Sequence, residues 1–140
     1  MLFRSGPVIG PVTLVGGYSA DSNRKELAFG GIRYTDHFGR VDVFIDSRNY
    51  SALNKNARPL WDTLYEVTYR IDKVRVGTNV VYDKYWSDDK RNYVLAGPIM
   101  YMNINKNVQV FARIANDWLM TSQGTDRGTR VRIGLLILLP

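Results

Sequence analysis

Apolar and polar residues alternate along most of this chain, in segments that are separated by short polar stretches. A period of two residues is typical of β-strands with two different faces, whereas an amphipathic helix repeats about every 3.6 residues. The pattern therefore predicts an all-β fold, an antiparallel up-and-down meander of about eight strands. The predicted strands cover residues 9–18, 26–35, 40–50, 60–71, 74–86, 92–104, 107–119 and 129–139.

Segment 60–71 shows the two faces most clearly. Trp61 and Tyr69 occur on one face, together with threonine, valine and isoleucine. Asp62 and Glu66 occur on the other face, so charge is present in the middle of the strand as well as near its start. The later segments repeat this division into an apolar face and a charged face.

The connections between the predicted strands alternate in length. In a meander, successive connections lie at opposite ends of the sheet, so the alternation predicts one end with tight turns and one end with longer loops. This asymmetry is typical of bacterial outer-membrane barrels. The predicted tight turns are 36–39, 72–73 and 105–106, and the predicted loops are 19–25, 51–59, 87–91 and 120–128.

No change of composition divides the chain, and its length suits a single domain. We assign residues 7–140 to one β-barrel domain. Residues 1–6 are predicted to be non-native or disordered, because Met1–Ser5 resembles a translated sequencing adapter. On this interpretation the chain is an amino-terminally truncated fragment.

The formal net charge of +6 raises the question of a nucleic-acid partner. The basic residues are scattered singly among acidic ones, and no basic cluster with interleaved aromatic residues occurs. We therefore predict no nucleic-acid binding. The absence of cysteine excludes disulfides and thiolate metal sites.

Charged residues at strand centres distinguish a membrane barrel from a soluble barrel. In a soluble barrel the inward face is an apolar core, whereas in a membrane barrel charges line the interior and the apolar face meets lipid. The sequence favours a membrane barrel, with a mildly cationic interior. The charged residues predicted to face the interior are Arg33, Arg40, Asp42, Asp46, Arg48, Asp62, Glu66, Arg70, Arg75, Arg113, Asp117, Arg130 and Arg132.

Aromatic residues gather where the apolar stripes end. Tryptophan and tyrosine favour the borders of a membrane, because an apolar ring with a polar tip suits the headgroup region. A two-residue turn at 105–106 would place the odd-numbered residues of 93–101 on the apolar face. The predicted membrane-interface aromatics are Tyr34, Trp61, Tyr69, Trp86, Tyr93, Tyr101 and Trp118.

With these features, the chain resembles the outer-membrane β-barrel superfamily, which includes porin-like proteins and small outer-membrane barrels, over residues 9–139. The resemblance implies a location in the bacterial outer membrane, contact with the lipid bilayer and with lipopolysaccharide, and no cofactor. Members of this superfamily often end on an aromatic residue, whereas this chain ends on Leu135–Pro140 without one.

Three functions agree with this pattern. The first is a porin or channel, or a piece of one, for passive solute passage. The second is a small closed barrel of eight strands with a structural or surface-interaction role through its loops, because such an interior is only wide enough for side chains. The third is a soluble, lipocalin-like binding barrel. In a wider barrel the interior arginines would favour anions.

The sequence offers little for catalysis. The single histidine, His37, falls in a predicted tight turn at the end opposite the long loops, so we predict no enzyme activity and no catalytic residue. A lone histidine without cysteine is a poor transition-metal site, and no metal site is predicted. Asp88 and Asp89 are interpreted as solvated loop charges.

Overall fold

The computed structural model describes residues 2–20, 25–86 and 91–137. Its strands form one antiparallel sheet in which each strand pairs with its neighbours in sequence, so the predicted all-β meander is confirmed. No helix in the described ranges is long and apolar enough to cross a membrane. The strands are β1 (Leu2–Ile9), β2 (Val12–Ala20), β3 (Glu26–Phe38), β4 (Val41–Ala52), β5 (Leu60–Ile71), β6 (Val74–Tyr85), β7 (Asn92–Asn105), β8 (Val108–Thr121) and β9 (Gly124–Ile137).

Strands β2 to β9 correspond to the eight predicted segments, and β1 is an addition. It covers most of the segment 1–6, for which no ordered structure is predicted. The turn between β1 and β2 contains Gly10, whose φ of 60° suits glycine. Pro11 follows it in the same turn. The predicted strand 9–18 therefore begins three residues later, at Val12.

Three of the predicted connections are wrong, and two of them are the loop 120–128 and the turn 36–39. The predicted loop 120–128 is a two-residue turn at 122–123, and β9 begins at Gly124 because the polar residues that follow pair with β8. The predicted turn 36–39 is also displaced, since β3 continues to Phe38. The chain reverses at residues 39–40, so Arg40 lies in this turn.

The orientation predicted for β7 is wrong as well. The turn between β7 and β8 is at 106–107, and the register shifts between Asn103 and Asn105. This bulge adds one residue to β7, and a shift of one residue exchanges the two faces of a strand. Tyr101 consequently pairs with Phe111. The residues that change sides are Tyr93, Leu95, Gly97, Ile99 and Tyr101.

The sheet curls around one of its faces but does not close. We call the face that carries Asp42 and Asp46 the inner face, and the opposite one the outer face. Thr35 of β3 and Leu136 of β9 line the same inner-face cavity of about 260 Å³, so the curl brings distant strands together. Within the described residues, however, β1 and β9 are not paired with each other.

Burial differs between the two faces. Phe29, Leu95 and Ile99 are buried on the inner face. Large apolar residues remain exposed on the outer face, among them Ile114 and Ile133. The core of the sheet therefore lies inside the curl, where apolar side chains share the space with charged ones.

Candidate functional site on the inner face

Asp46 is the centre of one cluster of charges. It lies opposite Arg33 on the neighbouring strand, and Arg48 follows two residues later on the same face. Its Oδ2 accepts hydrogen bonds from Arg33 Nη2 at 2.7 Å and Arg33 Nε at 3.1 Å, and Arg48 Nε donates to Oδ1 at 2.7 Å. The guanidinium groups also lie over the rings of Phe44 and Phe29, respectively. One buried carboxylate is therefore shared by two arginines.

Asp42 is the centre of a second cluster, nearer the short-turn end. Arg70 Nη2 donates to both of its carboxylate oxygens, at 2.8 and 2.9 Å, and Arg75 Nη1 lies 3.7 Å from Oδ2. His37 Nδ1 is 2.6 Å from Oδ1, directly opposite on β3. The histidine is thus a strand residue held by a carboxylate, and its predicted position in a turn is wrong.

A third contact crosses a whole strand. Tyr101 of β7 donates a hydrogen bond of 2.8 Å to Glu66 of β5, and the guanidinium of Arg75 on β6 lies 4.7 Å from the tyrosine ring centre. Tyr93, on the same side of β7, lies under the guanidinium of Arg130. Both tyrosines are therefore inner-face residues, and their predicted place on the apolar face is wrong, because the bulge near Asn103 reverses the strand.

The inner-face arginines of the last two strands differ in whether a carboxylate binds them. Arg130 of β9 donates to Asp117 of β8 at 2.7 Å. Arg113 of β8 lies directly opposite Arg132 of β9, and its Nε and Nη2 atoms are buried without a hydrogen-bond partner among the described residues. Among the described residues, this arginine pair therefore forms no salt bridge with a carboxylate.

Two aspartates also face each other. Asp62 of β5 lies directly opposite Asp83 of β6, on the inner face near the long-loop end. The sequence pattern placed Asp62 in the interior but did not single out Asp83, although the alternation puts it on the same side as Arg75. Like charges directly opposite in a sheet are destabilising.

Replacing Asp83 with asparagine should therefore stabilise the protein. The amide removes the repulsion and can donate a hydrogen bond to Asp62, so we expect a gain of about 0.5–1 kcal/mol in the free energy of unfolding at neutral pH. Denaturant titration measures this. The exposed Asp126 gives the matched control, since Asp126→Asn should have no measurable effect. A loss of stability in Asp83→Asn would show that the carboxylate has a favourable partner.

The predicted interior charges and border aromatics mostly lie on the expected faces. All of the predicted interior charges except Arg40 are on the inner face. Among the aromatics, Tyr34 and Tyr69 lie on the outer face towards the short-turn end, and Trp61 and Trp118 lie on it towards the long-loop end. Trp86 follows β6 and packs against Lys84 of the outer face.

Polar atoms of the outer-face aromatics find partners within the sheet. Trp61 Nε1 donates to Ser47 Oγ at 2.7 Å, and Tyr34 Oη donates to Asp36 Oδ2 at 2.8 Å. The rings themselves stay accessible, and 42% of Trp61 is exposed. Each ring thus combines an open apolar surface with a satisfied polar tip.

The described part of the chain has no group of three or more histidine, aspartate or glutamate side chains that could hold a metal ion. Asp88 and Asp89 lie outside the described residues. No protein-family model, no curated protein and no solved structure matches this sequence.

Proposed function

We propose that this chain is a transmembrane β-barrel protein of the outer-membrane type, with its inner face towards the barrel interior and its outer face towards lipid. One observation carries the proposal, namely the inverted burial of the two faces. Asp42 and Asp46 are each only 6% exposed, whereas Ile133 on the outer face is 74% exposed. In lipid this distribution is favourable, because apolar side chains meet acyl chains and charges stay inside.

A water-soluble sheet would bear a large cost for the same arrangement. Soluble monomers rarely expose a continuous apolar patch of more than a few hundred Å². The outer face here carries exposed apolar residues from β3 to β9, with Ile32, Val67 and Ile114 as examples. The aromatic residues at both ends of this face agree with a membrane border at each end.

The packing of the inner face favours a structural or surface-interaction role over an open pore. Leu95 and Ile99 are buried there, and Asp46 and Asp42 are occupied by arginines. In a small closed barrel, an interior filled in this way would leave no wide water channel. On this proposal the barrel anchors its long-loop end at the surface of the bacterial outer membrane, where lipopolysaccharide is the neighbouring partner.

Passive solute passage, as in a porin, is the second candidate, and the free edge of β9 supports it. The sheet is not closed, and most residues of β9 are exposed. Further strands added at this edge would widen the barrel. Planar-bilayer recordings distinguish the two roles, since the packed interior predicts no stepwise conductance and a porin predicts regular steps.

Refolding into detergent tests the membrane proposal itself. A folded barrel should migrate differently on a gel before and after boiling. In vesicles, lipids with brominated acyl chains should quench the fluorescence of Trp61, Trp86 and Trp118, because all three belong to the outer face. Cooperative folding in detergent-free buffer, with tryptophans that iodide quenches freely, would contradict the proposal.

A charge on the outer face gives a quantitative prediction. Ile114 is 55% exposed and lies at the centre of β8. In a bilayer, Ile114→Arg should lower the free energy of unfolding by about 2–4 kcal/mol, which is the depth-dependent cost of arginine near the midplane. In water the same exposed position should tolerate arginine within about 0.5 kcal/mol. Denaturant titration in vesicles gives the value.

The control for this variant is Gln123→Arg. Gln123 lies in the turn between β8 and β9, where water is expected in either case, so the change should cost at most about 1 kcal/mol. Equal effects of Ile114→Arg and Gln123→Arg would argue against lipid at the outer face.

A further inference from the structure

The arginine pair Arg113–Arg132 lacks the compensation that other inner-face arginines have. Arg33 and Arg48 share Asp46, and Arg130 binds Asp117. Arg113 lies directly opposite another arginine, and two of its guanidinium nitrogens are buried without an acceptor in the described chain.

Two carboxylates of the inner face accept a hydrogen bond from another residue, although Asp117 Oδ1 has no partner among the described residues. Glu66 accepts the hydrogen bond of Tyr101, and Asp117 accepts that of Arg130. Like charges that face each other across two strands are destabilising, and a buried donor without an acceptor adds the cost of its lost hydration. An anion from outside the described chain would remove both costs at once.

The space beside the pair can receive such an anion. Arg113 and Arg132 line a cavity of about 220 Å³ together with Glu66, Tyr101 and Asn79, so the charged groups of its wall are two guanidinium groups and one carboxylate. Asn79 is 4% exposed, and its Oδ1 accepts no hydrogen bond from the described residues. The cavity wall thus retains an excess of one positive charge, and the unpartnered atom of Asn79 in it is an acceptor.

We propose that this cavity is a binding site for a small oxyanion, a phosphate or a carboxylate, held between Arg113 and Arg132. Planar guanidinium groups bind such oxyanions through paired, charge-assisted hydrogen bonds. Asn79 Oδ1 is an acceptor, so it would bind only an anion that carries a proton, such as hydrogen phosphate. The inference goes beyond the proposed function and does not depend on it, because the site is on the inner face whichever medium surrounds the outer face.

Anion-dependent stability tests this proposal in the full chain, in whichever medium it folds. Inorganic phosphate and, separately, acetate are titrated against the denaturation midpoint, with sodium chloride at equal ionic strength as the reference. At least one of the two should raise the midpoint saturably beyond chloride, because a ligand that binds only the folded state stabilises it. The two arms distinguish a phosphate from a carboxylate ligand.

Three variants test whether the stabilisation by anions depends on Arg113 and Arg132. Arg132→Gln should weaken the apparent affinity by about tenfold or more, the loss expected for a charged hydrogen bond. Arg113→Met should abolish the response and also raise the midpoint without added anion, because it removes the buried unpaired charge. Arg127→Gln, on the outer-face side of β9, removes the same charge and should respond as the wild type does.

Two results would overturn the proposal. One is a wild-type protein that responds to phosphate and acetate no more than to chloride. The other is an Arg132→Gln variant whose response equals that of the wild type. Both results are read from folded protein, so they are distinct from a failure of detergent refolding, which would count against the membrane proposal alone.

Discussion

Replacing Asp46 with alanine is expected to lower the free energy of unfolding by about 3–5 kcal/mol, the loss typical of breaking a buried ion pair from one side. The carboxylate is 6% exposed and receives hydrogen bonds from Arg33 and Arg48. Without it, two largely buried guanidinium groups would face each other on the inner face. Urea titration of protein refolded in detergent measures the change.

The matched control for Asp46→Ala is Asp126→Ala, which removes the same group from an exposed position. It should change stability by no more than about 0.5 kcal/mol. Asp46→Asn keeps the shape and one acceptor oxygen, so its loss should fall between those of the two alanine variants. A loss below about 1 kcal/mol in Asp46→Ala would mean that Arg33 and Arg48 reach water or other acceptors in its absence.

Gly31→Ala is expected to cost about 2–3 kcal/mol, as overpacking of a closely packed site does. A Cβ on Gly31 would overlap the carbonyl oxygen of Ser47 and would lie 2.8 Å from Cα of Arg48. Backbone atoms cannot rotate away, so β3 and β4 would have to separate. Thermal or urea unfolding of the variant gives the magnitude.

The adjacent glycine offers an unusually close control. A Cβ on Gly30 would meet nothing within 4 Å, and this residue lies on the outer face of the same strand. Gly30→Ala should therefore stabilise the protein by about 0.5–1 kcal/mol, since alanine loses less conformational freedom on folding. Similar losses in Gly30→Ala and Gly31→Ala would show that alanine is disfavoured for reasons other than the contact with Ser47.

The strand pattern was predictable where alternation and a tight turn agree. Strands β5 and β6 match their predicted bounds to within one residue, because Asp72–Lys73 forms the turn and both strands have a clear period of two. The same alternation placed Asp62 and Glu66 correctly on the inner face. Period and turn together fix the register, and the register fixes the face.

The errors in the predicted strands arise where a feature other than apolar and polar alternation sets the register of strand pairing. The bulge between Asn103 and Asn105 carries no distinctive sequence signal, yet it turns Tyr101 to the inner face. The polar segment after Gln123 looked like a loop, although its residues pair along β8 up to Thr121. Polarity alone does not separate an exposed edge strand from a loop.

Some contacts of the candidate sites could not be predicted from the sequence, because they join strands that are not neighbours in the sheet. The hydrogen bond from Tyr101 to Glu66 passes over β6, and a single cavity includes Thr35 and Leu136. Such contacts depend on how tightly the sheet curls, which is a property of all its strands. The alternation of apolar and polar residues predicts on which face of the sheet a residue lies. It does not predict which residues of distant strands that residue contacts across the interior.

The strict meander order has a consequence for how such a protein can change in size. Every strand pairs only with the strands before and after it in the chain. Duplicating or removing a terminal hairpin would leave each remaining ladder with the same partners and the same register. The circumference of the sheet can therefore vary in steps of two strands, through simple genetic events, while the packing of the retained hairpins is inherited unchanged.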